Sequence, residues 1–199
     1  RDICNHFIKA AKRNGVHVFR VFDALNDIRN LEASIRAAKK SGCHLQAAMS
    51  YTLSPVHNID YFVDYAKQLE SAGADSICIK DMAALITPSA AFELTSALKK
   101  AVKIPINLHT HYTSGLASMA LLKSIEAGVD IIDTAMSPLA MGTSHAATES
   151  MVAALQGTPY DSGLDLKKLD VVRAHFAKLR QKYLDAGLLN PKVMGVDAN

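Results

Sequence analysis

The chain has 199 residues, 49% hydrophobic and 21% charged, with a formal net charge of +3. This length allows one domain with a substantial core, and the lack of a dense Lys/Arg run interleaved with aromatics argues against nucleic acid as a partner. No apolar run reaches the roughly 20 residues of a membrane span and no signal peptide opens the chain. Cys4, Cys43 and Cys78 are odd in number and far apart, so they read as free thiols in a reducing compartment, and the expected location is cytoplasmic.

In chain order, 1–14 has helical apolar spacing and is stopped by Gly15, and VHVFRVFD (16–23) reads as a buried strand. A helix is expected over 27–41, a strand over 44–51, a helix over 59–71 ending at Gly73, and the strand SICIKD over 76–81. Pro88 introduces a helix expected over 89–102. The strand IPINLHTH (104–111), a helix over 114–127, a strand over 129–137 and a helix over 144–156 follow. An amphipathic helix over 166–186 carries an apolar stripe at Leu166, Leu169, Val172, Phe176, Leu179 and Tyr183, expected to be ordinary packing. Arg1 falls inside a helical pattern and VMGVDAN closes without an element, so the chain is expected to be a fragment.

Strand ends at Asp23, Tyr51, Asp81, His111 and Ser137 recur at 26 to 30 residues, each followed by a helix. Such alternation demands parallel strands with right-handed crossovers. A doubly wound sheet would usually carry a glycine-rich phosphate fingerprint in its first βα turn, and none is present. The predicted fold class is therefore α/β, a TIM (β/α)8-type barrel represented by about its last five βα units plus a C-terminal helix. The expected division is 1–164 for the partial barrel core and 165–199 for a post-barrel helical segment.

Active sites of such barrels lie at the carboxyl ends of the strands. On IPINLHTH, Asn107, His109 and His111 share one face, and two imidazoles about 7 Å apart can close on one divalent ion; two partly solvated histidines are the plain alternative. Lys80 shares a face with Ser76 and Cys78, one strand earlier. An ammonium beside a cation is costly, which leaves a depressed pKa or carbamylation by CO2; the plain alternative is pairing with Asp81 or Asp23. Two imidazoles with a carbamate oxygen suit Zn²⁺, Co²⁺ or Mn²⁺. Asp23 is either an acid behind the site or a cap for the next helix, and Tyr51 either a substrate hydrogen-bonder or rim packing. Asn26 and Asp27 read as turn and cap residues, His17 and His44 as structural, Cys78 as core, and His145 as rim or surface.

The strings FRVFDALND, SYTLSPVH, ICIKDMAALITP, NLHTHYTSG, EAGVDIIDTAMS and ATESMVAALQGTPYDSGLD resemble the carboxyltransferase domain of biotin-dependent carboxylases and decarboxylases. That group comprises the oxaloacetate decarboxylase α subunit, the transcarboxylase carboxyltransferase subunit and pyruvate carboxylase, including the separate carboxyltransferase subunit of its two-subunit form. The resemblance implies Lys80 as the carbamylated metal-ligand lysine and His109 and His111 as the histidine ligands. It also implies a first-strand aspartate, a substrate arginine and a catalytic threonine that this sequence does not contain. The implied activity is metal-dependent transfer of a carboxyl group between oxaloacetate or pyruvate and biotin, of the oxaloacetate decarboxylase α type. Catalytic roles fall to Lys80, with Asp23 and Tyr51 as further candidates. The ion acts as a Lewis acid on the 2-oxo acid, and biotin arrives on a carrier domain or subunit; membrane decarboxylase subunits and a homo-oligomer are expected partners. Two alternatives stand beside it: a metal-dependent acyl-CoA or 2-oxo-acid lyase or synthase resembling HMG-CoA lyase, and a non-catalytic fragment.

Overall fold

Strands and helices alternate over residues 2–190, the part of the chain that this computed structural model describes. Arg1 and the closing VMGVDAN string lie outside the described residues. Helix α1 (Asp2–Arg13) is followed by β1 (Val18–Phe22), α2 (Ile28–Lys40), β2 (His44–Ser50), α3 (Ile59–Ser71), β3 (Ser76–Asp81) and α4 (Pro88–Ala101). Then come β4 (Ile106–Thr110), α5 (Ala117–Glu126), β5 (Ile131–Ile132), a 3-10 turn (Ser137–Leu139), α6 (Thr148–Leu155) and α7 (Leu166–Asp185). The strands form one parallel sheet in the order β1-β2-β3-β4-β5. Strictly consecutive order is that of a barrel wall, because a doubly wound sheet reverses its strand order at a switch point. The architecture is a five-strand partial (β/α) barrel.

Local signals start and stop the helices. Asn58 and Thr87 accept from the amides of Tyr61 and Ala90 to cap α3 and α4, and Pro88 occupies the first turn of α4. Gly73, at φ +97°, takes the left-handed position that turns the chain from α3 into β3.

Alternation then divides the sheet into two chemically different faces. Leu45, Met49, Ile77, Ile79, Ile106 and Leu108 are fully buried in the core against the helices. The opposite face is polar in register: Arg20 beside Gln46, Gln46 beside Ser76, Cys78 beside Asn107, and Lys80 beside His109. A barrel interior built of polar and charged residues needs a mutual hydrogen-bond network, since unpaired buried polar groups are costly.

Several boundaries differ from the sequence expectation. The fifth strand, expected over 129–137, is only Ile131–Ile132, because Ala135 pairs with the segment before α6 through Ala135 N–Ala146 O and Thr148 N–Ala135 O. For the same reason α6 begins at Thr148 rather than Ser144. Helix α5 begins at Ala117, after a turn closed by Gly115 N donating to Tyr112 O. His111 lies one residue past β4, its amide bonded to Asp81 O. The stripe on α7 is only partly covered: no α7 residue is buried, and Val172 and Tyr183 are exposed.

Burial sets the expected cost of substitutions. Ile79→Ala, in the central strand, should cost about 2–5 kcal/mol and Val171→Ala, on the exposed side of α7, less than about 0.5 kcal/mol, as read by urea denaturation. The buried Tyr65 hydroxyl has no hydrogen-bond partner among the described residues, and burial pushes its pKa up to about 12. The unfolded phenol ionises near 10, so this contribution is complete below that pH and is lost as pH rises towards 12. Tyr65→Phe should be at least as stable as the parent and should flatten the alkaline fall in melting temperature; an unchanged fall would assign it to other groups.

Candidate metal centre and its polar brace

At the carboxyl end of the sheet three imidazoles converge. His109 comes from the end of β4, His111 from the residue after it, and His145 from the loop before α6. Their ring centroids are 5.3 Å (His109–His111), 4.5 Å (His109–His145) and 4.6 Å (His111–His145) apart. One ligand nitrogen from each lies within 4.8 Å of the others. The hydrogen bonds identify which nitrogen is available. His109 Nδ1 lies 2.7 Å from Asp133 Oδ2, His111 Nδ1 2.7 Å from Thr143 O, and His145 Nδ1 2.8 Å from Thr110 O. Each of those partners only accepts. The donor Arg20 Nη1 also lies 3.1 Å from His109 Nδ1, but the shorter contact to the carboxylate places the proton on that nitrogen. Each Nδ1 therefore carries the proton and each Nε2 presents a lone pair. His109 Nε2 is buried with no partner among the described residues. A buried, unsatisfied imidazole nitrogen beside two others with the same tautomer fits a divalent transition ion.

Behind His109 lies a brace that joins β1, β2, β3 and β4 to the segment after β5. Asp133 Oδ2 also accepts from Arg20 Nη1 at 2.7 Å, and Asp133 Oδ1 accepts from Asn107 Nδ2 at 2.9 Å. Arg20 donates through Nη2 to Asn107 Oδ1 and through Nε to Gln46 Oε1, and Gln46 in turn donates to Ser76 Oγ. Burial opposes ionisation of Asp133, yet the hydrogen bonds from His109, Arg20 and Asn107 outweigh it and hold its pKa well below the usual carboxylate range. The carboxylate therefore stays charged and fixes the His109 tautomer. Burial also lowers the His145 pKa, ahead of the opposing hydrogen bond to Thr110 O, which favours the neutral ring.

Lys80 stands directly beside His109 in the strand register, partly buried, with Nζ 4.9 Å from the centre of the Phe22 ring. The loop after it is held by Asp81, whose carboxylate accepts from the Leu85 and Ile86 amides and from Thr110 Oγ1. Ala84 in this loop is at φ +57°, and Met141 in the His145 loop at φ +67°. Strained backbone next to converging ligands is characteristic of functional sites. Cys78, below Lys80 on the same face, is pushed up to about 12 by burial, so its thiol is protonated and inert at neutral pH.

Asp23 and Tyr51 lie at the carboxyl ends of β1 and β2, and the Tyr51 amide donates to Lys80 O. Asp23 accepts from the Asp27 and Leu25 amides and from Asn30 Nδ2, and these bonds, led by the Asp27 amide, lower its pKa. This is the geometry of a turn and cap residue. Tyr51 stacks on Phe62 of α3 at 5.5 Å, and burial raises its pKa. Asp27 caps α2, Asn26 ties its turn to Ser50, and His44 bonds Ser76 Oγ at the opposite end of the sheet. Arg20 and Asp133 are absent from the residues that sequence patterns single out, and those patterns leave His145 at the rim. A charge inside the apolar run VFRVF is the available signal for Arg20; nothing local marks His145.

The model of the HMGL-like family matches residues 7–175. The chain belongs to the HMGL-like family. Within it the chain is similar to a pyruvate carboxylase subunit of Methanocaldococcus jannaschii, 56% identical over 182 residues that cover 92% of this chain and 32% of that protein. The methylmalonyl-CoA carboxyltransferase 5S subunit of Propionibacterium freudenreichii is 45% identical over 184 residues, 92% of this chain and 36% of that protein. Among solved structures, the carboxyl transferase domain of Rhizobium etli pyruvate carboxylase with pyruvate and biocytin superposes with a TM-score of 0.90 at 37% identity, covering 92% of this chain and 32% of that one. The chain thus spans about a third of the length of these relatives.

Asp133 offers the direct test of the brace. Asp133→Asn preserves shape but replaces an obligate acceptor with an amide, so divalent-metal affinity should fall by about 10–100-fold in equilibrium dialysis, with an unchanged far-ultraviolet circular dichroism spectrum. Parent-like affinity would show that Asp133 does not orient His109.

Proposed function

We propose that this chain is the catalytic-face segment of a metal-dependent carboxyltransferase that moves a carboxyl group between a 2-oxo acid (oxaloacetate or pyruvate) and biotin carried on another domain or subunit. The observation that carries the reading is the tautomer-locked imidazole cluster at the strand ends, with Lys80 in register beside it. The likeness to a pyruvate carboxylase subunit and to a transcarboxylase subunit supports the substrate class. Those relatives are a carboxylase and a carboxyltransferase, so the proposal is carboxyl transfer rather than a dedicated oxaloacetate decarboxylase.

His109 and His111 are the proposed protein nitrogen ligands, and Lys80, once its amine has taken up CO2 and lost a proton, the proposed oxygen ligand. A divalent ion bound there, zinc, cobalt or manganese by donor type, would stabilise negative charge developing on the oxygen of the 2-oxo acid. The chain's own contribution is to hold these donors still. Asp133 and Arg20 fix the His109 ring, Thr143 O fixes His111, and Asp81 clamps the loop that follows Lys80. Rigid placement of charge-stabilising groups is the main source of rate enhancement in chemistry of this kind.

The family description leaves a second reading, a metal-dependent lyase resembling HMG-CoA lyase. Identities of 45–56% to carboxylase and carboxyltransferase relatives favour the first. Lys80 separates them, since only the carboxyltransferase reading requires a carbamate there. In the natural protein that carries this segment, Lys80→Met should abolish oxaloacetate-dependent carboxylation of biotin. A carbamylated Lys80 should also be detectable by ¹³C NMR in labelled bicarbonate. Full biotin carboxylation in that variant would remove Lys80 from the mechanism, whereas an uncarbamylated Lys80 and no biotin carboxylation by the parent would favour the lyase.

A further inference from the structure

His145 has no role in the proposed reaction, yet it is the ring nearest to His109. Its centroid is 4.5 Å from that of His109 and 4.6 Å from that of His111, closer to each than they are to one another at 5.3 Å. Its Nδ1 donates to Thr110 O, the carbonyl of the residue between the two other histidines, so its ring is anchored to the strand end that presents them. The loop that delivers it is anchored twice more. Thr143 O accepts a hydrogen bond from His111 Nδ1, and the His145 carbonyl accepts from the Met141 amide, at the residue with φ +67°. The His111 and His145 rings are thus oriented reciprocally, each by a carbonyl from the other's segment. One ring nitrogen of His145 lies within 4.8 Å of one from each of the other two imidazoles, a spacing that a shared cation can bridge.

We propose that His145 is a third imidazole donor, so that this chain holds a divalent transition ion with three nitrogens and without CO2 on Lys80. The proposal rests on the metal-centre reading and extends it. A three-imidazole site gives a zinc or cobalt ion three neutral donors and leaves positions open to oxygen ligands. Lys80 would then join an ion already held, so metal uptake and carbamylation become separable events.

The experiment is Co²⁺ binding by equilibrium dialysis and visible absorption, on the parent chain, His109→Ala and His145→Phe, in CO2-free buffer and in bicarbonate. The phenyl ring keeps the packing against His109 and His111 but has no donor, and His145→Gln serves where His145→Phe fails to fold. The parent should bind Co²⁺ equally in both buffers. His145→Phe should lose about tenfold or more in affinity and shift the visible band as a nitrogen leaves the coordination sphere. Parent-like affinity and spectrum in His145→Phe, with binding lost in His109→Ala, would overturn the third-donor assignment and leave the metal centre standing. Binding by the parent only in bicarbonate would overturn the independence from CO2. Undiminished binding in His109→Ala would sink the metal centre and this extension together.

Discussion

One carboxylate ties the functional end of the sheet together. Asp133, just beyond the short β5, accepts hydrogen bonds from His109 on β4, Arg20 on β1 and Asn107 on β4. Arg20 and Asp133 form a partly buried ion pair, 2.7 Å apart and about a quarter exposed on each side chain. Such a pair adds little net stability, because desolvation offsets much of the attraction, but removing one member leaves an uncompensated charge. Its value here is geometric. β1 and β5 are opposite edges of the five-strand sheet, and the guanidinium spans the curved face between them. The interaction therefore fixes the curvature of the wall and the tautomer of His109 at once.

The division of labour between the two faces of the sheet follows from the same constraint. The helix-facing side is aliphatic and fully buried, so it supplies cohesion through apolar burial. The inner side is mostly polar in register, and its cohesion depends on a connected chain of bonds from His44 and Ser76 through Gln46 and Arg20 to Asp133 and His109. A polar interior of this kind is stable only when its members are satisfied. His109 Nε2 is a buried exception beside the other two imidazoles, and a cation resolves it.

Strain and anchoring concentrate in the two loops that frame this exception. The loop after Lys80 has a non-glycine residue at positive φ and is clamped by Asp81, and the loop before α6 repeats that pattern around His145. In both, side chain–backbone bonds over-determine a conformation that local preference disfavours. The loops can therefore deliver donors to a common point with little freedom, which is what charge stabilisation in a reaction requires.

Periodicity and composition alone determined the alternating βα units, their parallel direction, the apolar helix-facing positions and the pairing of Lys80 with the HTH histidines at one rim. Those features are local: alternation along a strand and glycine after a helix act over a few residues. Tertiary structure decided the rest. Asp23 is engaged by the amides of its own turn, and Tyr51 is set beside Lys80 by its backbone and against the Phe62 ring by its side chain. Arg20, Asp133 and His145 joined the site across 89, 24 and 36 positions from His109, and a separation of that kind leaves no periodic trace in sequence. What a strand end can bind was legible from its own residues, whereas the partners that orient those residues were set by which distant strands the barrel brings side by side.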